Sequence, residues 1–133
     1  MTASAVLRPL LSYRFWLLLI VFAWFMGGGI GHFIITDFFV GIVPPYVPYP
    51  LWAVYISGVF EILGALGLLL AATRQWAGNG LILLTLCVTP ANVHMWLNPE
   101  LFPDFSSEAL TIRLGVQVLL LMAIWFGTRR PAL

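Results

Sequence analysis

Charge is what this sequence has least of. Of 133 residues only 8% are Asp, Glu, Lys or Arg, against roughly 25% in soluble domains. So little polar surface cannot wet a globule, and a soluble fold is excluded. Cysteine is nearly absent too: Cys87 stands alone, so neither an intramolecular disulfide nor a dithiol relay within the chain is available. Two histidines without a cysteine cluster do not make an ordinary zinc site, and no metal centre is expected. No glycine-rich phosphate loop follows a strand, and no basic stripe suits nucleic acid.

What remains is apolar. Hydrophobic residues make up 62% of the chain, with a mean hydropathy of +1.02. About 20 helical residues cross a bilayer core of about 30 Å. Four runs reach that length, near Phe15–Phe39, Pro50–Ala72, Gln75–Leu97 and Ala109–Gly127. Short connections make neighbouring helices antiparallel. The expected fold is all-α, an integral-membrane four-helix bundle formed by a single domain over residues 1–133. The first run is too long for a cleavable signal and reads as a span.

Charges are few but sorted. Arg8, Arg14, Arg74, Arg129 and Arg130 fall at one end of the bundle. The other end carries the uncharged loop Gly41–Tyr49 and an acidic loop with Glu100, Asp104 and Glu108. The positive-inside rule then predicts both termini in the cytoplasm. The segment Met1–Tyr13 is expected along the interface, near anionic headgroups.

The polar residues inside the spans carry the functional reading. Glu61 lies mid-helix in YISGVFEILGALG, where a carboxylate costs about 2.5–3.5 kcal/mol on insertion scales. It needs a partner, a proton or a wet cavity, unless it is only a protonated acid bonded to neighbouring helices. Ser57, Gly64, Gly58 and Ala65 surround it and turn it towards protein. His32 follows Gly27, Gly28, Gly29 and Gly31, small residues that allow close helix approach. It reads either as a packed histidine or as a proton acceptor. Pro90 invites a kink, and Asn92 follows it with Thr85 and Thr89 on its face. His94, roughly 200° away, is assigned to the interface. That disfavours haem ligation by His32 and His94.

Ser107 with Glu108 marks the start of the last helix, and Arg113 and Gln117 lie one turn apart on it. Arg113 reaches either Glu61 or the outer acids Glu108 and Asp37, and the safest pattern is a chain Arg113–Asn92–Gln117–Glu61. Pro44, Pro45, Pro48 and Pro50 predict a stiff polyproline connector. Its neighbours Tyr46, Tyr49 and Trp52 read as an interfacial belt or as a lid over the bundle mouth.

The run GHF at Gly31–Phe33, VPPYVPYP at Val43–Pro50, YISGVFEILGALGLL at Tyr55–Leu69, PAN at Pro90–Asn92, and the pair Arg113 and Gln117 resemble the DoxX-like family of small bacterial membrane proteins. The resemblance covers nearly the whole chain. It implies a four-helix membrane bundle, association with redox complexes, and site positions His32, Glu61, Asn92, Arg113 and Gln117. The lone Cys87 departs from related proteins that use cysteine pairs.

Three functions are compatible with this sequence. The first is a redox-associated subunit that binds quinone or a similar lipophilic molecule in an outer-half pocket, with no intrinsic cofactor. There Glu61 would accept a proton released by quinol. The second is a non-catalytic accessory subunit of a larger membrane complex, or a homodimer, in which the polar network specifies helix pairing. The third is a binder, transporter or isomerase of a small hydrophobic molecule, marked by a cavity open sideways to lipid.

Overall fold

A computed structural model describes residues 12–129. These form helices α1 (Tyr13–Ile34), α2 (Thr36–Ile42), α3 (Pro50–Gly67), α4 (Ala71–Leu97) and α5 (Ser107–Thr128), with a 3-10 turn at Pro99–Leu101 before α5. Among the described residues there is no strand. The four long helices α1, α3, α4 and α5 have the length and apolarity of membrane spans. Each packs on two others, in the cyclic order α1–α3–α4–α5. Arg8 and Arg130 lie outside the described residues, as does the interfacial segment before Ser12.

The first expected span, 15–39, is two helices. Ile35 breaks it with φ −114° and ψ 48°. The Ile35 N–H still reaches the Gly31 carbonyl at 2.9 Å, and the Thr36 hydroxyl bonds the His32 carbonyl at 2.8 Å. Three consecutive β-branched residues, Ile34, Ile35 and Thr36, crowd the helical turn, and a threonine that bonds backward bends it further. The chain turns there, and α2 lies over the end of the bundle. Ile42, Met95 and Leu110 bury themselves beneath it, with Phe39, Phe102 and Phe105 around them.

The second span stops at Gly67 rather than 72. Thr73 Oγ1 bonds the Gly67 carbonyl at 2.7 Å and Arg74 Nε bonds the Leu68 carbonyl at 2.9 Å. These close orphan carbonyls of the helix end, so α4 starts at Ala71, four residues before the expected boundary. It passes Pro90 without interruption. The last helix is capped by Ser106, whose hydroxyl accepts from the Ala109 N–H at 3.0 Å; Ser107, expected as the start, is the first helical residue.

The connector before α3 is a turn, not a polyproline rod. The Val47 N–H bonds the Pro44 carbonyl at 3.0 Å, which folds Pro45 and Tyr46 into a tight bend. Tyr49 then adopts φ 53°, ψ 60°, and it is the sole non-glycine residue with positive φ among the described residues. The left-handed region costs an ordinary residue roughly 1–2 kcal/mol, while glycine adds about 0.5–1 kcal/mol of unfolded-state entropy. Tyr49→Gly is therefore expected to raise stability by about 0.5–1 kcal/mol, read as a higher midpoint of thermal unfolding in detergent.

The apolar core sits at the opposite end and is made by Val21, Phe25, Ala65, Leu68, Leu81, Leu120 and Ile124. Arg129 bonds Asn79 there, and Gly127 meets Leu17 and Leu18. Arg14, Arg74 and Arg129 thus share one end of the bundle, and both long loops share the other.

Candidate functional site

Close approach of α1 and α3 creates the first half of the site. A Cβ on Gly29 would fall 3.0 Å from the Gly58 carbonyl oxygen, and one on Gly58 would fall 2.8 Å from His32 Cβ. The backbones touch at this crossing, as small residues permit. Of the four glycines read as contact positions, only Gly29 does this. Gly27 faces open space, Gly31 faces Phe39, and Gly28 leaves room for the Glu61 carboxyl at 3.7 Å from its notional Cβ.

His32 and Glu61 meet there. His32 is 9% exposed, its ring stacked on Phe39 with centroids 4.0 Å apart. Its Nδ1 lies 2.6 Å from the Gly28 carbonyl oxygen. A carbonyl only accepts, so Nδ1 carries the proton and donates it to Gly28. Glu61 Oε2 is 3.1 Å from the same nitrogen but off the line of that N–H, and it is buried without a hydrogen-bond partner.

The second half joins α4 to α5. Arg113 Nη2 donates to Asn92 Oδ1 at 3.2 Å, Asn92 Nδ2 to Gln117 Oε1 at 2.6 Å, and Gln117 Nε2 to Thr89 Oγ1 at 2.7 Å. Thr89 passes its own proton to the Thr85 carbonyl at 2.9 Å. The expected chain is correct through Arg113, Asn92 and Gln117, and wrong at its last link. Gln117 ends on Thr89 because the oxygen and the nitrogen of its amide are both engaged on α4, while Glu61 is drawn to α1 by the glycine crossing. Arg113 forms no ion pair with Glu61, Glu108 or Asp37. It lies 5.9 Å over the Phe105 ring, and its Nε is buried without a partner.

Two cavities separate these halves. A small one of about 170 Å³ is lined by Glu61, Asn92, Arg113 and Gln117 together with Trp24, Phe25 and Thr85. A large one of about 760 Å³ is lined by His32, Ser57, Glu61, Asn92 and Arg113, by Phe39 and Tyr46 near the proline loop, and by Phe60 and Cys87. Trp24, Glu61, Val88, Asn92 and Arg113 line both, so the two spaces adjoin across the polar groups. Each of the five residues singled out from the sequence thus borders one or both of these adjoining spaces. Of the three suggested lid residues, Tyr46 lines the larger. Tyr49 and Trp52 do not, and they stand exposed at 76% and 63%. His94 points elsewhere, its Nδ1 3.2 Å from Asn98 Nδ2 and its ring against Phe102.

Trp24, Phe39 and Phe105 were not foreseen. Trp24, Gly28 and His32 recur every fourth residue, so helical phase could have placed the tryptophan on the site face. Nothing local in the sequence marks Phe39 or Phe105, which arrive through the break at Ile35 and the fold of the acidic loop. Among the described residues no group of three or more His, Cys, Asp or Glu gathers as a metal would require.

Fold and site together define a multi-pass helical membrane protein with a polar cluster buried between its spans. The chain belongs to the family described as a domain of unknown function, DUF8561, whose model matches residues 19–128. No curated protein and no solved structure matches it.

Proposed function

We propose that this chain is a DoxX-like, redox-associated membrane protein that binds quinone or a similar lipophilic molecule in the adjoining cavities, with its polar head at Glu61 and Arg113. The observation that carries the reading is a pair of buried atoms without a hydrogen-bond partner, Glu61 Oε2 beside the His32 ring and Arg113 Nε, on residues that border a cavity of about 760 Å³. That volume lies within the roughly 300–1,000 Å³ range of small-molecule sites, which are mostly apolar with a few convergent polar groups. One orphan accepts and the other donates. A hydroxyl head that reaches both would satisfy them, donating to the carboxylate and accepting from the guanidinium.

The redox association rests on the resemblance at Gly31–Phe33, Val43–Pro50, Tyr55–Leu69 and Pro90–Asn92. The location is the bacterial inner membrane with both termini cytoplasmic, a reading supported by Arg14, Arg74 and Arg129 at one end. In that orientation the cavity lies in the outer half, and the two electrons of the quinol pass to a redox centre carried by a partner subunit. Within the site, Glu61 takes the proton that a quinol hydroxyl releases, and the guanidinium of Arg113 steadies the oxygen left behind.

Solvent extraction of the purified protein followed by mass spectrometry tests this. A quinone-class lipophile is expected near one per chain. Glu61→Gln should lower its retention by about tenfold to a hundredfold, the worth of one hydrogen bond to a charged group. A purified chain with no bound lipophile, or equal retention by the variant, would reject the reading.

A further inference from the structure

The seam between α3 and α4 is closed at one end and open at the other. Towards the arginine end, Gly64 packs against Leu81 and Gly67 against Ala77, so small residues let the helices touch. Past that point the large cavity separates them, with Ile56 and Phe60 on α3 and Leu84, Cys87 and Ala91 on α4 along its walls. Ile56 and Phe60 are 52% and 56% exposed, and Cys87 is exposed as well. In a membrane, exposure at this depth means contact with acyl chains.

We infer that this seam is a lateral portal: the ligand is an amphiphile with a compact head and a long apolar tail. It enters from the bilayer, and its tail lies between Phe60 and Cys87. The inference rests on the proposed lipophile site and adds the route and the ligand's shape. Three features argue for this occupant. The groove is continuous with the polar cluster at Glu61. Its walls are apolar where they meet lipid. The space beyond Glu61 is only about 170 Å³, room for a small head but not for a tail. The alternative occupant is a helix of a second copy of the chain.

Cys87, the sole cysteine, reports on the portal without engineering. The full chain in detergent is treated with N-ethylmaleimide, and adduct formation is followed by intact mass. Decylubiquinone, which has a tail, and duroquinone, which lacks one and is likewise fully substituted on its ring and so does not arylate thiols readily, are the probes. At a probe concentration about ten times its Kd, decylubiquinone should slow the Cys87 adduct about tenfold. Duroquinone should leave the rate unchanged. In a Cys87→Ser background, Leu86→Cys provides a neighbouring exposed thiol off the cavity wall, and neither probe should protect it.

Binding of decylubiquinone without protection of Cys87 overturns the portal and leaves the lipophile site standing. Absence of binding overturns both. Oxidative cross-linking of Cys87 between two copies would show the seam covered by a second chain, and it too overturns the portal.

Discussion

Gly29→Leu is expected to cost about 3 kcal/mol, near the upper end for an overpacked site, while Gly27→Ala two residues away is expected to gain about 0.5–1 kcal/mol. The contrast follows from what each new side chain would meet. A Cβ on Gly29 falls 2.7 Å from Ile62 Cγ1, 3.0 Å from the Gly58 carbonyl oxygen and 3.1 Å from Glu61 Cβ. A side-chain methylene can rotate away, but a backbone carbonyl in a helix cannot, so α1 must move off α3. Gly27 has nothing within 4 Å, and alanine there only improves helix propensity.

Displacement of α1 also pulls His32 from Glu61, since Gly58 and His32 meet at the same crossing. Gly29→Leu should therefore lose bound lipophile as well as stability, whereas Gly27→Ala should keep it. Thermal unfolding of both variants in the same detergent decides the matter. Equal midpoints would show that the α1–α3 crossing is not where the bundle is tight.

The sequence carried the helical phase well and the backbone breaks poorly. Asn92 turns inward and His94 away because two residues on a helix differ by roughly 200°, a relation that no packing detail alters. The separation of arginines and loops to opposite ends was likewise readable, because four spans with short connections leave one arrangement. The break at Ile35 was not, because β-branched residues are tolerated in many helices and the deciding bond is the one from Thr36 to His32. The proline connector misled for a similar reason. Proline fixes its own φ but not the ψ that follows, and the bond from Val47 to Pro44 selects a turn.

The partner of Glu61 was the hardest part to read. The expected chain ran from Gln117 to Glu61, but lateral proximity depends on which pair of helices makes the closest crossing. That crossing is set by Gly29 and Gly58, two glycines among twelve. A stripe of small residues shows that some close approach occurs. It does not say which glycine touches the neighbouring backbone, and three of the four in α1 do not.

Asn92→Leu is expected to be among the most destabilising single changes in the polar cluster, at about 3 kcal/mol, and Arg113→Leu to be close to neutral. Asn92 accepts from Arg113 and donates to Gln117. Removing it strands a half-buried cation and one end of a half-buried amide, and a fully buried charge left without its partner costs about 3–5 kcal/mol. Polar contacts between membrane helices are individually worth only about 0.6–1.7 kcal/mol, which pulls the figure to the lower end. Arg113→Leu removes the charge itself along with its unmet Nε, and an apolar replacement for a buried charge is often neutral or stabilising.

The double variant Asn92→Leu/Arg113→Leu should then be more stable than Asn92→Leu alone, by about 1–2 kcal/mol of coupling. Lipophile retention should move in the opposite sense, since Arg113→Leu takes away a cationic side chain that lines the cavity. A chain that tolerates or prefers leucine at position 113 for folding, yet loses its ligand there, would mark that arginine as kept for binding at the expense of stability. If Arg113→Leu unfolds the bundle as readily as Asn92→Leu, the cluster is a structural girder between α4 and α5, and the accessory-subunit reading gains what the lipophile reading loses.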